Sequence, residues 1–181
     1  MRIETRFGTV ELLDEGSKNY SFSSKDNLRQ YRSEVNFSDE PRPPVVLGIQ
    51  LDSNPEIALG GFGTGFHELN QHSALYLGDR LFVVFNSWLV CLELDPVQIL
   101  WSVEADPFEC FGVHYSAAHQ AVITHGELEI ARFDESGHKL WHVSGADIFS
   151  EGFKLEAEWI EAIDFNNAHY RFSYDSGLSL A

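Results

Sequence analysis

An all-β chain built from about three small antiparallel sheets is what this sequence predicts, and three observations predict it. A phrase of about forty residues is written more than once. Turn-forming residues punctuate each copy at matching places. Phe, Trp and Tyr make up 13% of the chain while Met occurs once, a bias toward side chains that pack on a pleated surface, and helical periodicity is sparse.

The first copy runs Val83-Val84-Phe85-Asn86-Ser87-Trp88-Leu89-Val90, then Leu94-Asp95, Leu100-Trp101 and Ala105-Asp106-Pro107-Phe108. The second runs Val122-Ile123-Thr124-His125-Gly126-Glu127-Leu128-Glu129, then Phe133-Asp134, Leu140-Trp141 and Ala146-Asp147-Ile148-Phe149. A third begins at Ile163-Asp164-Phe165-Asn166-Asn167-Ala168-His169-Tyr170 and reaches Tyr174-Asp175. Each reads as two strands joined by a tight turn, a second turn, then a third strand. Asn86-Ser87, His125-Gly126 and Asn166-Asn167 are the hairpin turns, since Asn and Gly tolerate positive φ. Asp95, Asp134 and Asp175 open the second turns, and Trp101 and Trp141 sit on the third strands. A strand-rich period near forty marks a propeller-like or stacked-sheet architecture, here incomplete or unusually small. A Trp recurring once per repeat reads as packing between neighbouring sheets.

The pattern Phe133-Asp134-Glu135-Ser136-Gly137-His138-Lys139-Leu140-Trp141 resembles the blades of pyrroloquinoline-quinone-like β-propellers, where a strand pair ends in Asp-x-x-Gly-x-x-Leu-Trp. Asp95 to Trp101 follows it with one residue fewer and no Gly. The resemblance covers about residues 75–177 and implies a propeller blade, not the quinone: those enzymes close a large ring of blades, and this chain holds about three. No cofactor is expected. The stretch from His125 to Ile130 and on through Asp147-Ile148-Phe149 also looks like a family of small bacterial proteins, which implies a bacterial origin.

At 181 residues the chain is expected to form one domain, residues 1–181. Within it, 1–40 is a polar, β-rich N-terminal segment in which Thr9 to Leu13 reads as a strand, and Lys25 to Asn36 is compatible with a short helix. Pro41-Arg42-Pro43-Pro44 is an extended connector at 41–44, because proline fits neither a sheet centre nor a helix interior. The repeat-containing body is 45–181, entered by a strand over Val45 to Leu51. Leu81 to Phe85 and Trp88 to Leu92 are apolar on both faces and predict a sheet covered on both sides. Glu127 and Glu129 alternate with Leu128 and Ile130, which predicts a strand with one wet face.

There are 28 acidic residues against 12 basic, a formal charge of −16. That excess argues against nucleic acid and anionic membrane as partners and fits a basic protein partner. No apolar run of signal or membrane-spanning length is present. Cys91 and Cys110 make no disulfide framework, Cys91 reading as a small core residue, so a reducing cytoplasm is expected.

Catalytic motifs do not assemble. His114 with His119 and His138 with His142 have spacings that can converge on a metal, and on a helix His138 and His142 would share a face, but they fall in predicted turns and strands, where the spacing loses its meaning. No nucleophile elbow and no local Cys–His pair occurs. The expectation is therefore a non-catalytic acidic interaction module, similar to immunity-type proteins in size and charge only. From Phe153 to Trp159 odd positions are apolar and even ones charged, which predicts an acidic strip of Glu156 and Glu158 with Glu151 and Glu161 nearby. The alternative is a small-ligand binder or enzyme using the Gly60–Phe66 loop. There Gly61, Phe62, Gly63, Phe66 and His67 are the candidate contacts; no Lys follows to make a phosphate cradle, and a close backbone approach explains the glycines.

Overall fold

The computed structural model describes residues 1–16, 19–38, 40, 42–62 and 69–180. Among these, sixteen strands form four sheets and no helix occurs. The chain divides into two compact units. One holds Met1–Gln71, Tyr76–Leu81 and Leu92–Ile99; the other holds His72–Leu75, Phe82–Cys91 and Leu100–Ala181.

The first sheet contains β1 (Arg2–Thr5), β2 (Gly8–Asp14), β3 (Ser33–Asn36), β4 (Val45–Leu51) and β5 (Asn54–Gly61), in the order β1-β2-β4-β5-β3. β4 lies antiparallel to both β2 and β5, while β3 joins β5 in parallel. Strands on both sides of the Pro connector therefore share one sheet. Asp52 and Ser53 turn β4 into β5 with φ of 48° and 67°, the paired positive values of a type I′ hairpin. Asp52 also accepts the Thr9 N–H at 2.8 Å.

Residues 25–32 are turns and bends that run into β3, not the helix their sequence allows. Short polar side chains take the backbone bonds a helix would need. Asn27 accepts from Ser21 N at 2.9 Å and donates to Ser21 O at 2.8 Å. The segment is fastened to the sheet by two partly buried pairs, Tyr31 OH on Glu15 and Tyr20 OH on Glu34. Arg29 adds a contact to Glu15 at 3.1 Å. Gly48 makes room, because a Cβ there would fall 1.9 Å from the Tyr31 hydroxyl oxygen.

The other three sheets keep sequence order. The second is β6 (Ala74–Leu77), β7 (Arg80–Phe85), β8 (Trp88–Leu94) and β9 (Val97–Glu104). The third is β10 (Cys110–Ser116), β11 (Ala121–Gly126), β12 (Ile130–Phe133) and β13 (Lys139–Val143). The fourth is β14 (Gly152–Leu155), β15 (Ile160–Ile163) and β16 (His169–Phe172). Each begins with a strand that the repeat alignment passes over. As expected, β7 and β8 are covered on both faces: Leu81 to Phe85 and Leu89 to Leu92 are all buried, Cys91 among them. Ala121, Ile123, Ile130, Phe149, Ile160, Ala162, Phe172 and Tyr174 form a core cluster in the later unit.

Both repeated tryptophans pack sheet to sheet. Trp101 Nε1 donates to Glu135 O at 3.1 Å, and Trp141 Nε1 donates to Tyr174 O at 2.9 Å. Each ring covers the glycine of the next repeat's Asp turn. A Cβ would lie 2.7 Å from Trp101 at Gly137 and 2.8 Å from Trp141 at Gly177. These glycines have φ of 85° and 69°, so conformation and crowding both select Gly.

Two turns differ from the sequence reading. His125-Gly126 ends β11, and the reversal falls at 127–129, so Glu127 and Glu129 belong to the turn and not to a strand. The cause is Asp106, whose Oδ2 accepts Leu128 N and Glu129 N, both at 2.8 Å. Gly126 serves close approach: a Cβ would stand 2.2 Å from that oxygen. In the third repeat the loop spans 164–168, with Asn167 at φ 61°.

Candidate functional site

Five loops of the later unit are laced into one continuous edge. Ala105 N donates to Ser87 O and Cys110 N to Asn86 O, each at 2.7 Å. Glu127 N donates to Glu109 O, Phe149 N to Glu127 O and Phe165 N to Ile148 O, each at 2.8 Å. Two aspartates recur as staples between successive loops. Asp106 accepts Phe108 N and Glu109 N on Oδ1 as well as its two bonds on Oδ2. Asp147 accepts Ile148 N at 2.8 Å and the Asn166 side-chain amide at 2.7 Å.

Strand directions follow from the pairings. β10, β12, β14 and β16 leave this edge, while β11, β13 and β15 arrive at it. Residues 104–110, 126–129, 144–151 and 164–168 therefore share one loop end. They carry eight carboxylates and no Lys or Arg. Asp106 and Asp164 are buried. Hydrogen bonds from Ala168 N, Tyr170 OH and Asn166 N hold the Asp164 carboxyl below the usual range. Glu129 meets Lys139 at 3.1 Å and His142 at 2.9 Å. Glu104 and Glu151 are exposed. Two large apolar rings stand out at the same end, Phe108 at 62% exposure and Phe165 at 60%.

The hydrogen bonds also correct the alignment of repeats. Glu109–Glu127 matches Ile148–Phe165, so Cys110 takes the place of Phe149, and Pro107-Phe108 is a two-residue excess. The matching Ala-Asp-x-Phe words align Phe108 with Phe149 instead. Burial raises the Cys110 thiol well above its ordinary range, so it is a neutral packing group.

The structure separates the four sequence-predicted glutamates. β14 ends at Leu155, so the strand does not continue through Trp159 and the expected alternation stops there. Glu151 precedes β14 at the loop end. Glu156 and Glu158 occupy the turn beyond its other end, closed by Glu156 N on Trp159 O at 2.9 Å. Glu156 pairs with Lys154, and Glu161, within β15, lies 3.5 Å from His169 and opposite Arg171. Of the predicted ligand loop, Gly61 is buried at the end of β5 and Phe62 is 39% exposed; Gly63, Phe66 and His67 lie outside the described residues. At Gly60 a Cβ would meet the Pro43 side chain at 2.6 Å.

The paired histidines go to separate partners. His119 stacks on Tyr174 at 3.9 Å, while His138 bonds Asp134 at 2.9 Å and His142 goes to Glu129. Among the described residues no group of three or more metal-binding side chains converges. What the sequence did not signal is a column of rings. His72 meets His114 at 4.5 Å, His114 meets Phe153 at 4.5 Å, Phe153 stacks on His125 at 4.6 Å, and Phe111 meets His125 at 5.4 Å. His125 Nε2 is 2.9 Å from Phe149 O, tying the column to the loop end. The pairing of β10 with β11, the placement of β14 and the bond from Val113 N to His72 O bring these rings together, so no local motif announces them.

In strand arrangement the chain is similar to two solved structures of computationally designed proteins. Ika8 aligns with a TM-score of 0.55 and 9% identity over 76% of this chain and 45% of that one. Ika4 aligns with a TM-score of 0.51 and 8% identity over 63% of this chain and 74% of that one. Hsv2 of Kluyveromyces lactis aligns at 0.38 and 11% identity over 57% of this chain and 32% of its own. The chain thus spans under half of the Ika8 chain, and the likeness to the designed proteins is one of fold alone. No family model and no curated protein sequence matches.

Proposed function

We propose that this chain is a non-catalytic acidic interaction module that binds, and in an immunity- or inhibitor-type role masks, a basic protein partner. One observation carries the reading: the net negative charge is greater in the later segment, where the positive charge is already used. Residues 100–181 hold fourteen Asp and Glu against four Lys and Arg, while residues 1–99 hold fourteen against eight. All four bases of the later segment have partners within the chain. Arg132 donates to Tyr174 O at 2.8 Å, Lys139 meets Glu129, Lys154 meets Glu156, and Arg171 lies over the Trp159 ring at 5.0 Å. Glu104, Glu151 and Glu158 face water. A surplus of one sign on a surface steers an oppositely charged protein to it and speeds association.

A bacterial cytoplasm is the setting of this proposal. Both cysteines are buried, and no described helix is long and apolar enough to cross a membrane. The test is affinity capture of the tagged chain from its own cells at low and high salt. A basic protein held near stoichiometry and released by salt supports the reading, and an empty capture sinks it.

A further inference from the structure

We infer that the loop end at 104–110, 127–129, 144–151 and 164–168 is the docking face, and that its occupant is an arginine-bearing segment of the basic partner, with guanidinium groups over Phe108 and Phe165 and the flanking carboxylates facing their charge. This rests on the interaction reading above and narrows it to one face and one residue type.

The repeats supply an internal control. In the framework that the loop hydrogen bonds define, Phe149 is fully buried and Cys110 fills its place one repeat earlier. The earlier loop nonetheless carries two extra residues, and the second, Phe108, is left 62% exposed. In the third repeat Phe165 occupies the position that Glu127 holds in the second, and it is 60% exposed. The fold thus has a buried place for a ring at this turn and also sets two rings out in water. Neither is needed to close the loops, which the aspartate staples and backbone bonds already do. Exposed rings at one loop end are available as anchors for a partner.

The charge around them selects the occupant. Asp106 and Asp164 are buried in their own hydrogen bonds, so the outward charge is that of exposed Glu104, shortly before Phe108, and exposed Glu151, in the loop bonded to that of Phe165. A second apolar surface would leave those carboxylates facing nothing, whereas a cation answers both features. Arginine answers them better than lysine. Its plane stacks on a ring face while its edge donates in parallel to a carboxylate, and it is the less strongly hydrated ion. The chain makes the same pairing itself, Arg6 over Phe7 at 4.6 Å and Arg171 over Trp159 at 5.0 Å. At the opposite end, Lys154 and Arg132 meet Glu156 and Asp175 and His138 bonds Asp134, so three carboxylates of those turns already have partners, Glu158 remaining exposed.

The probes are two synthetic peptides of equal length and charge, one alternating Arg with Ser and one alternating Lys with Ser, titrated into the isotope-labelled full chain at low salt. The Arg peptide is expected to bind about five-fold tighter than the Lys peptide, with amide shifts concentrated at 105–109, 127–129, 146–151 and 164–168. A double variant, Phe108→Ala with Phe165→Ala, is expected to keep its melting temperature and lose the Arg preference. Equal affinities, an Arg preference that survives the double variant, or shifts centred on the turns at 134–138 and 156–159 overturn the loop-end assignment while leaving the interaction reading standing. Failure of both peptides to bind at low salt overturns both.

Discussion

Lowering the pH from 7 to 5 is expected to destabilise the later unit through one imidazole. His114 stands in the ring column between His72 and Phe153, and its Nε2 is buried without a hydrogen-bond partner. Burial, reinforced by His72 and His125, pushes its pKa from 6.5 down to about 3. Below 6.5 the unfolded chain takes up a proton that the folded chain refuses, so protons favour unfolding. Stability contributed by the neutral ring is complete above pH 6.5 and is lost as the pH falls toward 3, at about 1.4 kcal/mol per pH unit. At pH 5 the loss is about 2 kcal/mol, a large share of the stability of a small domain. Carboxylate protonation and the easing of a charge of −16 act over part of the same range, so the effect must be isolated by difference. Urea unfolding of the wild type and of His114→Gln, measured in steps from pH 7.5 to 5, does so. The wild-type midpoint should fall relative to the variant by the equivalent of about one proton. Parallel curves for the two proteins would refute the argument.

Further expectations follow from the same geometry. Gly137→Ala places a Cβ against Trp101 at a positive φ and should cost about 2–4 kcal/mol, read as a shift in the denaturant midpoint; a change under about 0.5 kcal/mol would mean the ring is not seated there. Asp106→Ala leaves four backbone donors of two loops without their acceptor and should cost about 3 kcal/mol or more, with Asp106→Asn intermediate, and amide exchange at Leu128 and Glu129 should rise. Trp141→Phe keeps most of the packing but loses the bond to Tyr174 O, about 1 kcal/mol. Tyr31→Phe removes the hydroxyl held by buried Glu15, and limited proteolysis should then cut first within 20–32; an unchanged cleavage pattern would show that the pair does not fasten the segment.

The elements most legible in the sequence were those fixed by near neighbours. The Asp134-to-Trp141 word contains its own turn chemistry, and Asp134 does bond Ser136 N and His138 N. The double-sided burial of β7 and β8 was readable because Leu81 to Phe85 and Trp88 to Leu92 are all apolar. What escaped was set from far along the chain. The turn at 127–129 is placed by Asp106, so His125-Gly126 gave a false hairpin signal: the glycine answers crowding, not φ. The short helix open to 25–36 after Ser23-Ser24 lost to side-chain bonds such as Asn27 with Ser21, which a helix-start signal does not weigh. The acidic strip failed as a strip because β14 is four residues long, and charge alternation carries no information about where a strand stops. The loop end and the ring column are both products of strand pairing, and neither has a signature within any short window.

The tryptophan contacts have a polarity. Trp101 reaches forward to the turn at 135–137 and Trp141 forward to the turn at 174–177, so the middle repeat offers a plug to its successor and a socket to its predecessor. Successive plugs, Trp101 and Trp141, and successive sockets, Gly137 and Gly177, each lie 40 positions apart. An array of this kind grows by duplication, because a copied unit arrives with both halves of the joint already matched. Damage is directional as well: losing a plug should loosen the repeat after it before the one before it.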